Sequence, residues 1–429
     1  MLVLTYCFRV RPSAAQHAQL DAILKNQRHL YNAALEERIA AWRCGTSIGL
    51  NDQTKSLTEI RGFDADYGGV PYNLSKWTLK RLDDAFKAFY RRSRARKGKA
   101  GFPRFRGAGR WCSFGFHQKG GLRLKNGKLL FSSGIAGGLD LKMHRQLPPG
   151  AVIKSAVFTK EGRHWRVALA VAVEAPENHT QPDTACGIDV GIEALATLSD
   201  GTRIENARPR RGNEQALRRA SRALSRCKRG SKRRSKVRAR LAKLQRRVRD
   251  TRTTHLHQAS AAITRDYSLI AVEDLKLQNM TRSARGTVAE PGTNVAAKRG
   301  LNRSLADAAP GRLISMLRYK AARAGGVLIE VDPKRTSQEC SSCGVMVKKT
   351  LSERRHVCTC GADLHRDHNA ALNILRRGLA AHGAARRPGE PNVADCRMRA
   401  PGKTDLQAAQ LPQPYQDGSW ELFPTRKSE

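Results

Sequence analysis

Residues 1–11 alternate apolar and polar positions, which predicts a short strand. After Pro12 the period changes. Ser13 and Gln16 have the spacing of a capping box, and Leu20, Ile23, Leu24, Leu30 and Tyr31 then recur at helical intervals. A second helix is predicted from Ser75 to Arg94, with Leu79, Leu82, Phe86 and Phe89 on one face. From Arg110 to Glu174 the period is two. Leu122–Lys125 and Lys128–Phe131 flank Asn126-Gly127, a hairpin turn, and Ala156–Thr159 and His164–Val173 flank Lys160-Glu161-Gly162-Arg163 in the same way. Joined by the first strand, these predict a small OB-like β-barrel interrupted by a helical insertion, an architecture suited to oligonucleotides.

The remainder alternates strands and helices. Ala185–Val190, Ala194–Leu198 and Thr202–Ile204 read as three short strands. A long basic helical region follows, roughly Gly212 to Asp266, with apolar spacing at Leu217, Leu224, Val237, Leu241, Leu244 and Val248. Next come a buried strand (Tyr267–Val272), a helix (Arg312–Ala324), a strand (Val327–Val331) and a last helix (Asn369–Arg377). This order is the one that an RNase H-like α/β sheet requires, with its first and fourth strands adjacent. From Gly378 onward Gly, Pro, Gln and Arg dominate, and 378–429 is expected to be a disordered tail.

Composition narrows the partners. The 429 residues carry 79 Lys and Arg against 37 Asp and Glu, a formal charge of +42. Such self-repulsion is relieved by a polyanion, and nucleic acid, whose counterions are released on binding, is the first choice. No stretch approaches ~18 consecutive apolar residues, so a membrane partner is not expected. The N-terminus has no cationic leader and no A-x-A site, so the chain is expected to stay in the cytoplasm. Two basic belts are candidate phosphate contacts. One includes Lys87, Arg91, Arg92, Arg94, Arg104 and Arg106 and runs through Arg96 and Lys97, with nothing acidic evident opposite it. The other spans Arg208–Arg252 and includes Arg229, Lys232, Arg233, Arg234, Lys236, Arg240 and Lys243; Arg303 is a further candidate outside both belts. Trp77, Phe86, Phe89 and Tyr90 fit core packing better than base stacking.

Two constellations carry chemistry. Cys340-Ser341-Ser342-Cys343-Gly344 and Cys358-Thr359-Cys360-Gly361 can place four thiolates tetrahedrally around one structural Zn²⁺, the second knuckle being tighter because it is C-x-C. Asp189 and Glu273 end apolar strands that the topology makes neighbours, and Asp367 begins the last helix. Three convergent carboxylates need cations, and two Mg²⁺ ~3.5–4 Å apart would suit phosphodiester hydrolysis. Asp274 is expected to face away from that site. Gly45-Thr46-Ser47-Ile48-Gly49 follows a helical segment and is not a nucleophile elbow. His255 and His257 are two apart on a helix and cannot share a metal, and no P-loop is present.

The runs Gly187-Ile188-Asp189-Val190-Gly191, Val272-Glu273-Asp274-Leu275, Thr336-Ser337-Gln338-Glu339-Cys340 and His365-Arg366-Asp367-His368-Asn369-Ala370-Ala371 together closely resemble the TnpB (OrfB) proteins of bacterial insertion sequences. Gly101-Phe102-Pro103-Arg104-Phe105 and the stretch from Pro291 to Ser304 are similar to the same family, and the resemblance covers about residues 1–376. Ala308-Ala309-Pro310 departs from it, standing where the family has an aromatic-glycine turn.

The resemblance implies an RNA-guided DNA endonuclease related to the RuvC-only (type V) CRISPR nucleases. Its partners would be a guide RNA from the transposon right end and double-stranded target DNA beside a short flanking motif, bound as a monomer on RNA. Asp189, Glu273 and Asp367 fall on the family's catalytic, magnesium-holding positions. The implied domains are a wedge barrel (1–11 and 109–182) with a helical recognition insertion (12–108), then a RuvC nuclease domain (183–335 and 362–377). Within the latter lie the basic region 208–266, a lid 281–310 and a zinc ribbon 336–361. The competing readings are a compact type V CRISPR effector and a guide-directed repressor or accessory transposase without cleavage.

Overall fold

The computed structural model describes residues 2–95, 100–117, 121–173, 184–350 and 353–385. The chain divides into two compact units, Met1–Ala175 and Pro176–Glu429. Among the described residues no helix is long and apolar enough to cross a membrane.

The first unit opens with strand β1 (Leu2–Arg11) and helix α1 (Ala14–Arg43). Ser13 caps α1 in a reciprocal box: its Oγ accepts from the Gln16 N–H, and the Gln16 side chain accepts from the Ser13 N–H. Helices α2 (Leu50–Phe63), α3 (Ala65–Gly68) and α4 (Tyr72–Arg94) follow. Buried polar residues tie α1 to α4: Gln27 donates to Ser75 at 3.2 Å and accepts from Thr78 at 2.6 Å. Six further strands come next, β2 (Ser113–His117), β3 (Leu122–Lys125), β4 (Lys128–Phe131), β5 (Leu139–Lys142), β6 (Val152–Glu161) and β7 (His164–Val173). With β1 they form one antiparallel sheet, ordered β2-β6-β7-β1-β5-β4-β3.

That sheet has β2 and β3 as its ends, so its hydrogen-bond ladder is open where a barrel was expected. It curls nonetheless. Phe116 on β2 meets Phe131 on β4 at 5.2 Å between ring centroids, over a core that includes Phe8, Phe114, Phe158 and Trp165. The expected turn between β3 and β4 is present, with Asn126 and Gly127 both at positive φ (49° and 73°), as a primed two-residue turn requires.

The second unit begins with β8 (Ala185–Asp189), β9 (Ala194–Leu198) and β10 (Arg203–Glu205), then α5 (Pro209–Gly212), α6 (Glu214–Ser225) and α7 (Lys232–Asp266). The long basic region is therefore not one helix. Gly230 takes φ 84° and Ser231 caps α7, so α6 and α7 are separate helices that pack on each other. Then come β11 (Leu269–Glu273), α8 (Leu277–Met280), α9 (Val295–Ala308), α10 (Pro310–Arg323) and β12 (Val327–Val331). The hairpin β13 (Arg355–Val357) and β14 (Asp363–His365) precedes α11 (Arg366–Ala385). The sheet order is β10-β9-β8-β11-β12, with β8, β11 and β12 parallel and β9 antiparallel to β8.

Helix α11 lies on β8, β11 and β12, and two glycines set how closely. A Cβ on Gly187 of β8 would stand 2.1 Å from the Ala371 carbonyl oxygen, and one on Gly378 would stand 2.4 Å from Cβ of Ala271 on β11. Gly378 was expected to end the last helix, but it serves this contact and α11 continues to Ala385. The expected tail beyond, residues 386–429, lies outside the described residues, as do Arg96 and Lys97.

Substituting Gly187→Ala forces backbone apart from backbone and is expected to lower unfolding stability by about 2–3 kcal/mol. Gly383→Ala on the same helix meets nothing within 4 Å and is expected to leave stability unchanged or slightly raised. Urea unfolding of the two variants checks this, and equal effects would refute the close-contact account.

Candidate active site and metal centre

Strands β8 and β11 run parallel in a register that pairs Ile188 with Val272. Asp189 and Glu273 therefore follow each other's neighbours at the same sheet edge. Asp367 sits in the first turn of α11, which the Gly187 contact presses onto β8. All three carboxylates line one cavity of about 240 Å³, shared with Thr336, Ser337, Arg354 and Arg366. Asp274, as expected, is not among the lining residues; it pairs with Lys276.

The electrostatics of this cavity are unfavourable to anions. Desolvation pushes the Asp189 carboxyl up to about 8, repulsion from Glu273 and Asp367 adds to it, and Arg366 opposes it. Glu273 is also raised by desolvation, against a 2.6 Å hydrogen bond donated by the Thr336 hydroxyl and the charge of Arg377. Such a set of hard oxygen donors, recessed and mutually repelling, fits a divalent cation of the magnesium kind. The three acids do not crowd round a single point. Among the described residues, the one group of three or more His, Cys, Asp or Glu with ligand atoms all within 4.8 Å is the four cysteines.

Those cysteines form the second centre. Cys340 Sγ lies 3.7 Å from Cys360 Sγ, and Cys343 Sγ 3.5 Å from Cys358 Sγ. A tetrahedron with ~2.3 Å metal–sulfur bonds has edges of about 3.8 Å, so the four thiols are spaced for zinc. Cys340 and Cys358 are buried, and Cys343 and Cys360 are exposed. In the first knuckle the Gly344 N–H donates to the Cys340 carbonyl; in the second the Gly361 N–H donates to the Cys358 carbonyl. The second turn is one residue shorter, as C-x-C demands, and Gly361 closes it at φ 86°.

Hydrogen bonds stitch the first knuckle to the helix that bears Asp367. Asn369 accepts from the Ser341 N–H at 2.9 Å and donates to the Glu339 carbonyl at 2.7 Å. Asn373, one turn on, donates to the carbonyls of Glu339 at 2.7 Å and Thr336 at 2.9 Å. Both asparagines are wholly buried. Arg376 and Arg377 pair with the Glu339 carboxylate. Thr336 thus connects the thiol cluster to Glu273. The sequence reading singled out neither Thr336, Asn369 and Asn373 nor Arg354, Arg366 and Arg377 as functional. Several sit inside the very runs that carried the resemblance, which was the available signal.

The basic residues divide. Arg229, Lys232, Arg233, Lys236, Arg240 and Lys243 are exposed along α7 and the turn before it, and Arg91, Arg94 and Arg104 are exposed in the first unit. Others are engaged within the chain. Lys87 pairs with Asp83 at 2.9 Å and Lys80 with Asp84, so the belt on α4 does have acids beside it, one turn away where helical neighbours meet. Arg234 donates to the carbonyls of Leu224 and Cys227, closing the end of α6, and Arg303 pairs with Glu214 at 3.2 Å. Arg92 donates to the Gly101 carbonyl, and Arg106 lies over the Tyr31 ring.

Comparison with known proteins gives concordant results. Residues 168–284 match a family described as "Probable transposase", residues 311–374 one described as "Cas12f1-like, TNB domain" and residues 1–47 one described as "Helix-turn-helix domain". The last segment folds here as β1 and the single helix α1. "Putative RNA-guided DNA endonuclease InsQ" of Escherichia coli (strain K12) is 30% identical over 87% of this chain and 92% of its own length. A "Putative RNA-guided DNA endonuclease" of Streptomyces pristinaespiralis is 32% identical over 87% and 89%. Among solved structures, CasPhi-2 (Cas12j) bound to crRNA aligns over 88% of this chain and 98% of that one, at 11% identity and a TM-score of 0.45.

The raised Asp189 carboxyl makes stability depend on pH. Between about 4 and 8 the folded, magnesium-free chain keeps a proton that the unfolded chain, at 3.8, releases. Stability is therefore expected to fall as pH rises through that window. Urea midpoints at a series of pH values in magnesium-free buffer check this; Asp189→Asn is expected to flatten the slope, and an unchanged slope would contradict the assignment.

Proposed function

We propose that this chain, which belongs to the TnpB (OrfB) family, is a transposon-encoded RNA-guided DNA endonuclease whose metal-dependent site is formed by Asp189, Glu273 and Asp367. The observation that carries the reading is the shared cavity: three acids from two adjacent parallel strands and a flanking helix, with Arg354 and Arg366 at its wall. The same sheet order supports an RNase H-like nuclease core, and the curled first sheet with its helices supports a wedge and recognition domain. Sequence choice would come from a guide RNA, derived from the transposon right end, paired with one DNA strand beside a short flanking motif.

In this reading Asp189, Glu273 and Asp367 would hold two magnesium ions. When bound, these supply positive charge at the attacking and departing oxygens of a phosphodiester. Two ions in one cavity would draw on carboxylates at more than one point of its wall. Carboxylates that line one cavity without converging on a single point suit that arrangement. Thr336 fixes the rotamer of Glu273 through its 2.6 Å hydrogen bond. Arg366 and Arg354 offer guanidinium donors to the non-bridging oxygens of the scissile phosphate. A water oxygen then adds to phosphorus and one P–O ester bond breaks, leaving a phosphate monoester and a hydroxyl group. The four-cysteine site has no open ligand position and would hold one structural zinc, keeping Ser341 and Glu339 in place for Asn369 and Asn373.

Asp189→Ala is expected to reduce cleavage of target DNA in Mg²⁺ by about 10³-fold or more while leaving RNA binding unchanged. The assay uses protein purified from cells carrying its flanking DNA, with the RNA that stays bound, and persistent cutting by the variant would overturn the site. Elemental analysis is expected to find one zinc per chain, and markedly less in Cys343→Ser.

A further inference from the structure

The carboxy-terminal end of α4 and the loop after it carry aromatic side chains that the fold does not bury. Phe86 and Phe89 form a base, with Arg38 lying 5.0 Å over the Phe86 ring. Phe102 packs edge-on against both, at 5.5 and 5.2 Å, and Tyr90 packs on Phe89 at 5.4 Å. Yet Tyr90 remains 52% exposed, Phe102 46% and Phe105 54%. Rings left half in water forfeit much of the stabilisation that burial gives an aromatic residue.

Residues 101–106 are held at two points. The Arg92 side chain holds the Gly101 carbonyl at 3.0 Å. At the other end, Asn32 of α1 both donates to the Arg106 carbonyl and accepts from the Arg106 N–H, at 3.1 and 2.8 Å. Between these pins Pro103 restricts the backbone. Phe102 and Phe105 are thus presented by a backbone held on either side of them. Arginines neighbour these rings in the sequence: Arg91 and Arg94 follow Tyr90, Arg104 lies between Phe102 and Phe105, and all three are exposed. A protein-binding patch is depleted of charge at its centre, whereas alternating aromatic and guanidinium groups match a strand of bases and phosphates.

We propose that Tyr90, Phe102 and Phe105, with Arg91, Arg94 and Arg104 between them, form a stacking platform for unpaired bases of RNA. Paired bases inside a duplex offer no free face. Bases splayed from single-stranded loops and ends do, and RNA is recognised mainly at such places. The inference rests on the RNA-binding reading above and gives that reading a named surface.

The test is the affinity of the full chain for single-stranded RNA of mixed sequence bearing 2-aminopurine, for the same strand made abasic, and for the corresponding single-stranded DNA. Phe105→Ala is expected to weaken binding of the intact RNA by about 5–100-fold, with an unchanged slope of affinity against salt. On the abasic strand the variant and parent are expected to bind alike, and Phe105→Trp to retain both affinity and 2-aminopurine quenching. Arg104→Ala is expected to do the reverse, lowering the salt slope by about 0.7. Phe105 contributes little burial, so the melting temperature should not move; were it to fall, Tyr90→Leu, which keeps the apolar contact, is expected to give the same loss on intact RNA. Equal affinity of parent and Phe105→Ala, equal loss on the abasic strand, or a loss confined to DNA would each overturn the platform. A parent that fails to bind any RNA would overturn the underlying reading as well.

Discussion

The closeness of α11 to the sheet is the constraint on which the candidate site depends. Hydrogen bonding aligns Asp189 and Glu273 at one edge with no help from side chains, because parallel pairing fixes the register of β8 on β11. Asp367 is different. It belongs to a helix, and its distance from the strands is set by whatever lies between helix and sheet. At Gly187 and Gly378 there is only a hydrogen at the Cα, so backbone meets backbone at the first and the helix backbone meets the Ala271 methyl at the second, where an added methyl group would hold them apart. These two contacts lie about two turns apart along α11, one at Ala371 and the other at Gly378, and together they set how the helix lies on the sheet.

A second layer of positioning comes from polar groups that are expensive to bury unless paired. Asn369 and Asn373 spend their side-chain amides on the backbone carbonyls and N–H just before and inside the first cysteine knuckle. The thiol cluster therefore fixes a loop, that loop fixes Thr336, and Thr336 holds Glu273. A metal clip ~2.3 Å in bond length is a stiffer anchor than a short loop could supply from its own apolar residues. If the four cysteines hold zinc as proposed, removing it would loosen one carboxylate as well as the cysteine knuckles.

Much of this was legible in the chain. Asp189 and Glu273 stand at the ends of apolar runs too short for helices, and the order of elements makes those runs neighbours. The capping box, the Asn126-Gly127 turn and the cysteine pairs announce themselves because their chemistry is local. What escaped is non-local or weakly patterned. Leu57 is the one apolar residue among the fully buried positions of α2, so that helix leaves almost no periodic trace. The break between α6 and α7 falls inside a charged run where Gly230 and Ser231 are the sole signal. Gly378 carries the same letter whether it ends a helix or lets one approach a strand. Thr336, Asn369 and Asn373 gain meaning only from partners about 30–60 positions away.

Net charge was the strongest compositional fact, but it does not by itself say which arginines meet a ligand. A guanidinium has five donors, and the fold uses many of them internally: Arg252 donates to Asp307, Arg234 to the end of α6, Arg38 to Gln53 and Asp83. Those residues read as basic surface in a sequence and act as struts in the structure. The exposed set along α7 is what remains after that internal demand is met. The aromatic residues follow the opposite logic. Phe86 satisfies the expectation that helical spacing means core, whereas Tyr90 on the last turns of α4, and Phe102 and Phe105 beyond it, stay half in solvent. An arginine withdrawn from the surface and a phenyl ring left upon it are complementary departures from average behaviour, and they separate what holds this protein together from what it presents to a partner.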